Sequence, residues 1–155
     1  MWSKLLRLFR GDRRPVVSPV ANATLGMLTY SHDDGCWATD ESNEDLPFRF
    51  FVAGNWSEQF SEISPDPQLI AHAESVARSS DEFLAAVASM LTAECGTRLN
   101  KGWTEEIARL KVSALNLPWP ERPDDGMIQF DGPDPDRLWR CDYIGRRPVS
   151  LGFDS

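Results

Sequence analysis

Ser64–Gly96, SPDPQLIAHAESVARSSDEFLAAVASMLTAECG, is the stretch on which the fold turns. Ser64-Pro65-Asp66-Pro67 is a helix-start signal, with a Ser or Asp cap and proline tolerated in the first turn. Leu69, Ile70, Ala73, Val76 and Ala77 then fall on one stripe at helical spacing, which predicts a first amphipathic helix. Ser79 with Glu82 three positions on has the form of a capping box. Phe83, Leu84, Val87, Met90 and Leu91 repeat the spacing until Gly96 supplies a stop, which predicts a second helix. Two stripes separated by a few residues must pair or bend so that both lie against a sheet.

The flanking sequence supplies that sheet. On the N-terminal side, TLGMLTY and CWAT flank SHDDG, whose Asp-Gly pair suits a hairpin turn, so Thr24–Thr39 reads as two strands. Leu46–Gly54, LPFRFFVAG, places Phe48, Phe50 and Val52 on one face and Arg49, Phe51 and Ala53 on the other, the pattern of a central strand. On the C-terminal side Thr104-Glu105-Glu106 begins a short third helix carrying Ile107 and Leu110. From Lys111 the period becomes two. Val112 with Ala114, then Leu115 with Leu117, form a strand ending at Pro118, and DDGMIQFDG, RLWRCDYI and RPVSLGF give three more. The expected fold class is α+β: an antiparallel sheet, made of an N-terminal hairpin, a third strand and a C-terminal four-strand meander, packed against two central helices. The alternation puts Trp139, Cys141 and Tyr143 on one face of their strand and Arg140 and Asp142 on the other.

Two parts are expected: a basic amphipathic helix and linker over 1–23, and a single domain over 24–155. In the first part Trp2, Leu5, Leu6 and Phe9 recur at i, i+3, i+4 and i+7 with Lys4, Arg7 and Arg10 between them, and Gly11 would stop the helix. Such a helix would dock on its own domain, fray, or meet a membrane surface or partner. Residues 1–14 carry Lys4, Arg7, Arg10, Arg13 and Arg14 against Asp12 alone, so they are +4, and the other 141 residues of this −8 chain are −12. A body of that charge repels a phosphate backbone, so no nucleic-acid partner is expected, and a basic protein fits better. Cys36, Cys95 and Cys141 form no CxxC pair and are read as buried free thiols. No run of roughly 18 apolar residues occurs and the start has no signal-peptide core, which predicts a cytoplasmic protein without a membrane span.

The segments LGMLTY with DDGCW, FRFFVAG before the helix pair, and TEEIARLKVSALNL leading to GMIQFDG resemble bacterial domains of unknown function, those numbered 2262 and 6985. The resemblance covers about residues 24–155. It implies the fold and a bacterial origin, and no reaction, cofactor or catalytic residue. Where such domains often carry a Gly-His pair on the strand after an acidic turn, this chain has Arg140-Cys141-Asp142.

No motif here commits the chain to catalysis. The two histidines are His32, in the first hairpin loop near Asp33, Asp34 and Cys36, and His72, whose offset from Ile70 predicts a surface imidazole. Neither has zinc-ligand spacing, and Asp131-Gly-Pro-Asp134-Pro-Asp136 lacks the ligand order of a calcium loop. No phosphate-binding glycine loop is present. No cofactor and no metal are expected. Six tryptophans are read mainly as core or rim residues, though they could line a cleft.

Two lysine-free acidic runs remain. Asp33, Asp34, Asp40, Glu41, Glu44 and Asp45 have no Lys or Arg among them, and Glu121, Asp124, Asp125, Asp131, Asp134 and Asp136 are interrupted only by Arg122 within 121–136. If the sheet brings their loops together, they form an acidic rim that steers a basic partner, with the first six residues as the candidate binding set. The function expected is a non-catalytic interaction or regulatory module, in the manner of an immunity protein masking a basic partner. The alternative is an enzyme or small-ligand binder with an aromatic-lined cleft containing carboxylates.

Overall fold

The computed structural model describes residues 16–56 and 63–154. The amphipathic segment read at residues 2–10 lies outside them. The fold is α+β: among the described residues, a nine-strand, mostly antiparallel open sheet with three α-helices.

Five strands precede the helices, the first four being β1 (Val20–Asn22), β2 (Gly26–Ser31), β3 (Cys36–Thr39) and β4 (Arg49–Trp56). Each pairs antiparallel with the next. Gly35, at φ +66°, gives the β2–β3 turn its left-handed residue. The short β5 (Ile63–Pro65) folds back on the end of β4, and β1 takes up Val20–Asn22 from the expected linker; neither strand is evident in the sequence. Asn22 fixes this corner, its Oδ1 accepting from the amides of Thr24 and Leu25 and its Nδ2 donating to Glu74 at 2.8 Å.

Helix α1 (Pro67–Arg78) begins as expected, with Asp66 accepting from the amides of Gln68 and Leu69 and Pro67 in the first turn. Helix α2 (Ser80–Glu94) follows, but the capping box does not form. Ser79 Oγ donates back to the Ser75 carbonyl at 2.8 Å, so it closes α1 and leaves the start of α2 without a side-chain cap. A 3-10 turn over Lys101–Trp103 leads into α3 (Thr104–Ile107).

The chain then re-enters the sheet as β6 (Lys111–Leu117), which lies beside β4 and parallel to it. This one parallel pair separates the fold from an all-antiparallel one, and its cause is the helical crossover between the two strands. A single crossover puts all three helices on one face of the sheet. β7 (Gly126–Asp131), β8 (Leu138–Ile144) and β9 (Arg147–Asp154) complete the order β1-β2-β3-β4-β6-β7-β8-β9. The irregular pattern Val112, Ala114, Leu115, Leu117 marks a register shift in β6 between Val112 and Ala114. Gly145 and Arg146, both with positive φ, close the two-residue β8–β9 turn.

The main core lies between the helices and the covered face. Phe50 and Val52 of β4, Leu115 and Leu117 of β6, Ile128 and Phe130 of β7, and Trp139, Cys141 and Tyr143 of β8 meet Leu69, Ala73 and Val76 of α1 and Phe83 and Val87 of α2. Arg140 and Asp142 point the other way and are exposed, as the alternation requires. Leu28, Tyr30 and Trp37 form a smaller cluster at the β1 side, joined by Val17 and Val20.

Candidate functional site

With the described helices on one side, no helix among the described residues covers the other face of the sheet. Its middle is built from the outward residues of β3, β4, β6 and β7: Cys36 and Ala38, then Arg49, Phe51 and Ala53, then Ala114 and Asn116, then Met127 and Gln129. Two hollows lie on it. The larger, about 740 Å³, has Cys36, Ala38, Phe51, Ala53 and Met127 in its wall and Asp34 at its rim. The smaller, about 440 Å³, lies toward the opposite end of the strands and includes Asp40, Glu41 and Asp131.

Arg49 and Phe51 belong to both hollows and divide them. The guanidinium stacks 4.7 Å above the Phe51 ring centre and donates from Nε and Nη2 to the Thr39 carbonyl at 3.4 and 3.3 Å. It is the one cation among the described residues of either hollow, against four carboxylates. Ser31 Oγ donates to Asp34 at 2.6 Å, which fixes that carboxylate in the β2–β3 turn. The Ser42 amide and hydroxyl both donate to Asp40 at 2.8 Å and hold its carboxyl below the ordinary range. At Cys36, burial first and the Asp34 charge second push the thiol up, so it is a weak nucleophile.

The six residues of the first acidic run are all exposed, but they do not form one patch. β3 separates them, leaving Asp33 and Asp34 at one end of the sheet and Asp40, Glu41, Glu44 and Asp45 at the other. The second run is divided the same way by β7. Glu121, Asp124 and Asp125 share an end with Asp33 and Asp34, while Asp131, Asp134 and Asp136 share one with the 40–45 loop. The single expected rim is therefore two acidic margins at the two ends of an open face.

Several of the second run's carboxylates are internally engaged. Arg146 Nε donates to Asp124 at 2.6 Å, and Arg122 lies 3.7 Å from Asp125. Arg137 pairs with Asp134 at 3.2 Å and with Glu106 at 2.6 Å. Trp139 Nε1 donates to the other Glu106 oxygen at 2.6 Å, so that carboxylate has both oxygens occupied and is held ionised by these donors. The guanidinium of Arg137 also stacks 4.3 Å from the Trp103 ring centre. A hollow of about 570 Å³ opens beside Trp103 and Glu106, but Glu106 is committed to holding Arg137 and Trp139 rather than to moving protons.

His72 corrects the surface assignment: its side chain is buried. α1 turns it between the β6–β7 loop and β8, where Nδ1 donates to the Pro123 carbonyl at 2.5 Å and Nε2 accepts from the Tyr143 hydroxyl at 3.1 Å. Burial pulls the imidazole down and pushes Tyr143 up to about 12, so both are neutral and their shared hydrogen bond is a structural tie. His32 stays in its loop with its ring edge-on to Tyr30. Among the described residues no group of three or more His, Cys, Asp or Glu side chains is placed to hold a metal ion. Nor is any described helix long and apolar enough to cross a membrane. Cys141 is buried, whereas Cys36 and Cys95 are partly exposed, so only one thiol of the three is fully interior.

The sequence reading missed the floor of the open face. The aromatics on both sides of β4 marked it as a central strand, and it does lie between β3 and β6, but that pattern does not say which of its two faces the helices cover. The available signal was the helix count: the helices fall within one crossover and cannot cover two faces. Family models, curated proteins and solved structures were all compared with the chain, and none of them matches it.

Proposed function

We propose that this chain is a non-catalytic protein-interaction module whose open sheet face receives a basic segment of a partner protein and masks it. One observation carries the reading: a face that no described helix covers, with an apolar floor around Phe51 and Met127, carboxylates at both ends and, among the described residues of its two hollows, Arg49 as the one cation. Exposed apolar hollows with a charged margin mark binding surfaces more than solvated ones. The chemistry divides the work: the margins attract and orient a cationic segment, and the floor removes its apolar side chains from water. The −12 charge of the chain beyond residue 14 extends that attraction past contact range. The same residues favour the immunity-like form of the role, in which covering a basic surface is itself the function.

The test uses partners recovered from the native host on the wild-type chain and on Phe51→Asp. A partner of this face is basic, is lost on Phe51→Asp, and associates more slowly as the Debye length shortens from about 30 Å to about 10 Å. Neutralising Asp34, Asp40, Glu41 and Asp131 together should slow association and flatten its salt dependence. A partner whose on-rate ignores both salt and these four residues contradicts the reading.

A further inference from the structure

We propose that the segment received by the open face is an α-helix of another protein, lying along the strands with its N-terminus over Asp40, Glu41 and Asp131 and its C-terminus near Asp34. The inference rests on the reading of that face as a site for basic segments, and adds the form and direction of what binds.

The form follows from where the backbone hydrogen bonds are spent. β3, β4, β6 and β7 each lie between two neighbours, so their main-chain groups are committed to the ladders. A segment laid on this face meets side chains only. Of the amide and guanidinium side chains in the two hollows, Asn43, Arg49 and Asn116 already donate to main-chain carbonyls, which leaves Gln129. An extended segment would carry its own N–H and C=O groups unpaired over the apolar floor. A helix pairs those groups within itself.

The dimensions agree. Phe51, Asn116 and Met127 stand in one row across β4, β6 and β7. The two strand spacings they cover come to about 10 Å, the width of one helix. Along the strands, β6 and β7 have 7 and 6 residues, roughly 20 Å, which about 13 helical residues span. Arg49 and Phe51 divide the hollows, so apolar side chains on successive turns of the helix enter on either side of them. Met27, Leu138, Ile144 and Val149, all exposed, lie on the same face and make the hollows the centre of a wider apolar surface.

Direction follows from charge. Asp40, Glu41 and Asp131 line the smaller hollow, whereas Asp34 is the one carboxylate among the described residues of the larger. A helix carries partial positive charge at its N-terminus and partial negative charge at its C-terminus. The margin with three carboxylates therefore takes the N-terminus. Lys or Arg in the last turn then meets Asp34, which also suits that end of the dipole.

The probe is a synthetic peptide of about 15 residues with Leu at helical spacing and Lys in its first and last turns. Its control has the same composition with Leu at every second position. The protein is the full chain with labelled amides and methionine methyls. The helical peptide should gain helical circular dichroism on binding and move the Met127 signal, while Met90, on α2 against the core, stays in place. It should bind about tenfold or more tightly than the control. In Phe51→Asp the movement of Met127 should be lost, with Met90 unmoved as the sign that the variant is folded. A nitroxide on the peptide's N-terminus should broaden the Glu41 amide, and one on its C-terminus the Gly35 amide. Equal or tighter binding of the control, no binding of the helical peptide, or the reverse pattern of broadening overturns the proposal. So does a Met127 signal that moves with the concentration of the chain alone, which would assign the face to a second copy. Failure here with a host partner still slowed by neutralising the four carboxylates removes only the helix. Success here with no such partner removes only the masking role.

Discussion

The two faces of the sheet are made from the same strands, and neighbouring residues divide sharply between them. On β8, Trp139, Cys141 and Tyr143 are at most 2% exposed, while Leu138 and Ile144 are 46% and 54% exposed. On β4, Phe50 and Val52 have no exposure at all, and Phe51 between them is only half-buried. The difference comes from one topological fact, the single helical crossover between β4 and β6. The covered face holds apolar side chains against helices and ties His72 to Tyr143 internally. The open face keeps an apolar floor under solvent with exposed carboxylates at its ends. The first arrangement is what stability needs, and the second is what recognition needs.

The sharpest way to break this contrast is to truncate one aromatic on each face. Trp139→Ala removes a fully buried ring packed 4.8 Å from Phe153 and the donor to Glu106, and should cost about 3–5 kcal/mol in denaturant unfolding. Phe51→Ala should cost less, about 1 kcal/mol, because its ring is partly in water on the face that no described helix covers. Similar losses at the two positions would show that the open face is part of the core.

Much of this contrast was legible in the sequence. The helical stripes of 64–96 and the period-two strands after Lys111 identified the elements, because each has a long apolar repeat. The inward set on β8 followed from alternation alone. What was not legible depends on pairing across the chain. The parallel β4–β6 contact and the β5 return require knowing which strands are neighbours. The burial of His72 requires a partner 71 residues away, Tyr143, and the division of each acidic run requires knowing that β3 and β7 stand between its halves. Local pattern gives faces and spacing; it does not give neighbours.

A second substitution separates internal from external charge. Glu106→Gln leaves one acceptor for two donors, Trp139 Nε1 and Arg137, and should lower stability by about 2 kcal/mol in thermal or denaturant unfolding. Glu41→Gln, at the open margin, should leave the unfolding midpoint where it was. An equal loss at Glu41 would mean that the margin is a structural network.

Acid gives a third probe, confined to the covered side. His72 is buried with its value pulled below that of an ordinary imidazole, so the unfolded chain binds its proton first. Stability should therefore decline as pH falls below about 6.5, and this part of the decline should be complete once the folded-state value is passed. His72→Gln should lose that slope. A slope that persists in the variant would assign it to other groups.

The central claim, that the uncovered face is where this chain meets a basic protein, is tested most directly by photo-cross-linking in the native host. A photoreactive phenylalanine replaces Met127 on the open face in one chain and Ala85, exposed on α2, in another. The account predicts cross-links from position 127 to a Lys- and Arg-rich segment of another protein, weakened by salt, and none to that protein from position 85. Cross-linking to the same protein from 85 and not from 127 would contradict it.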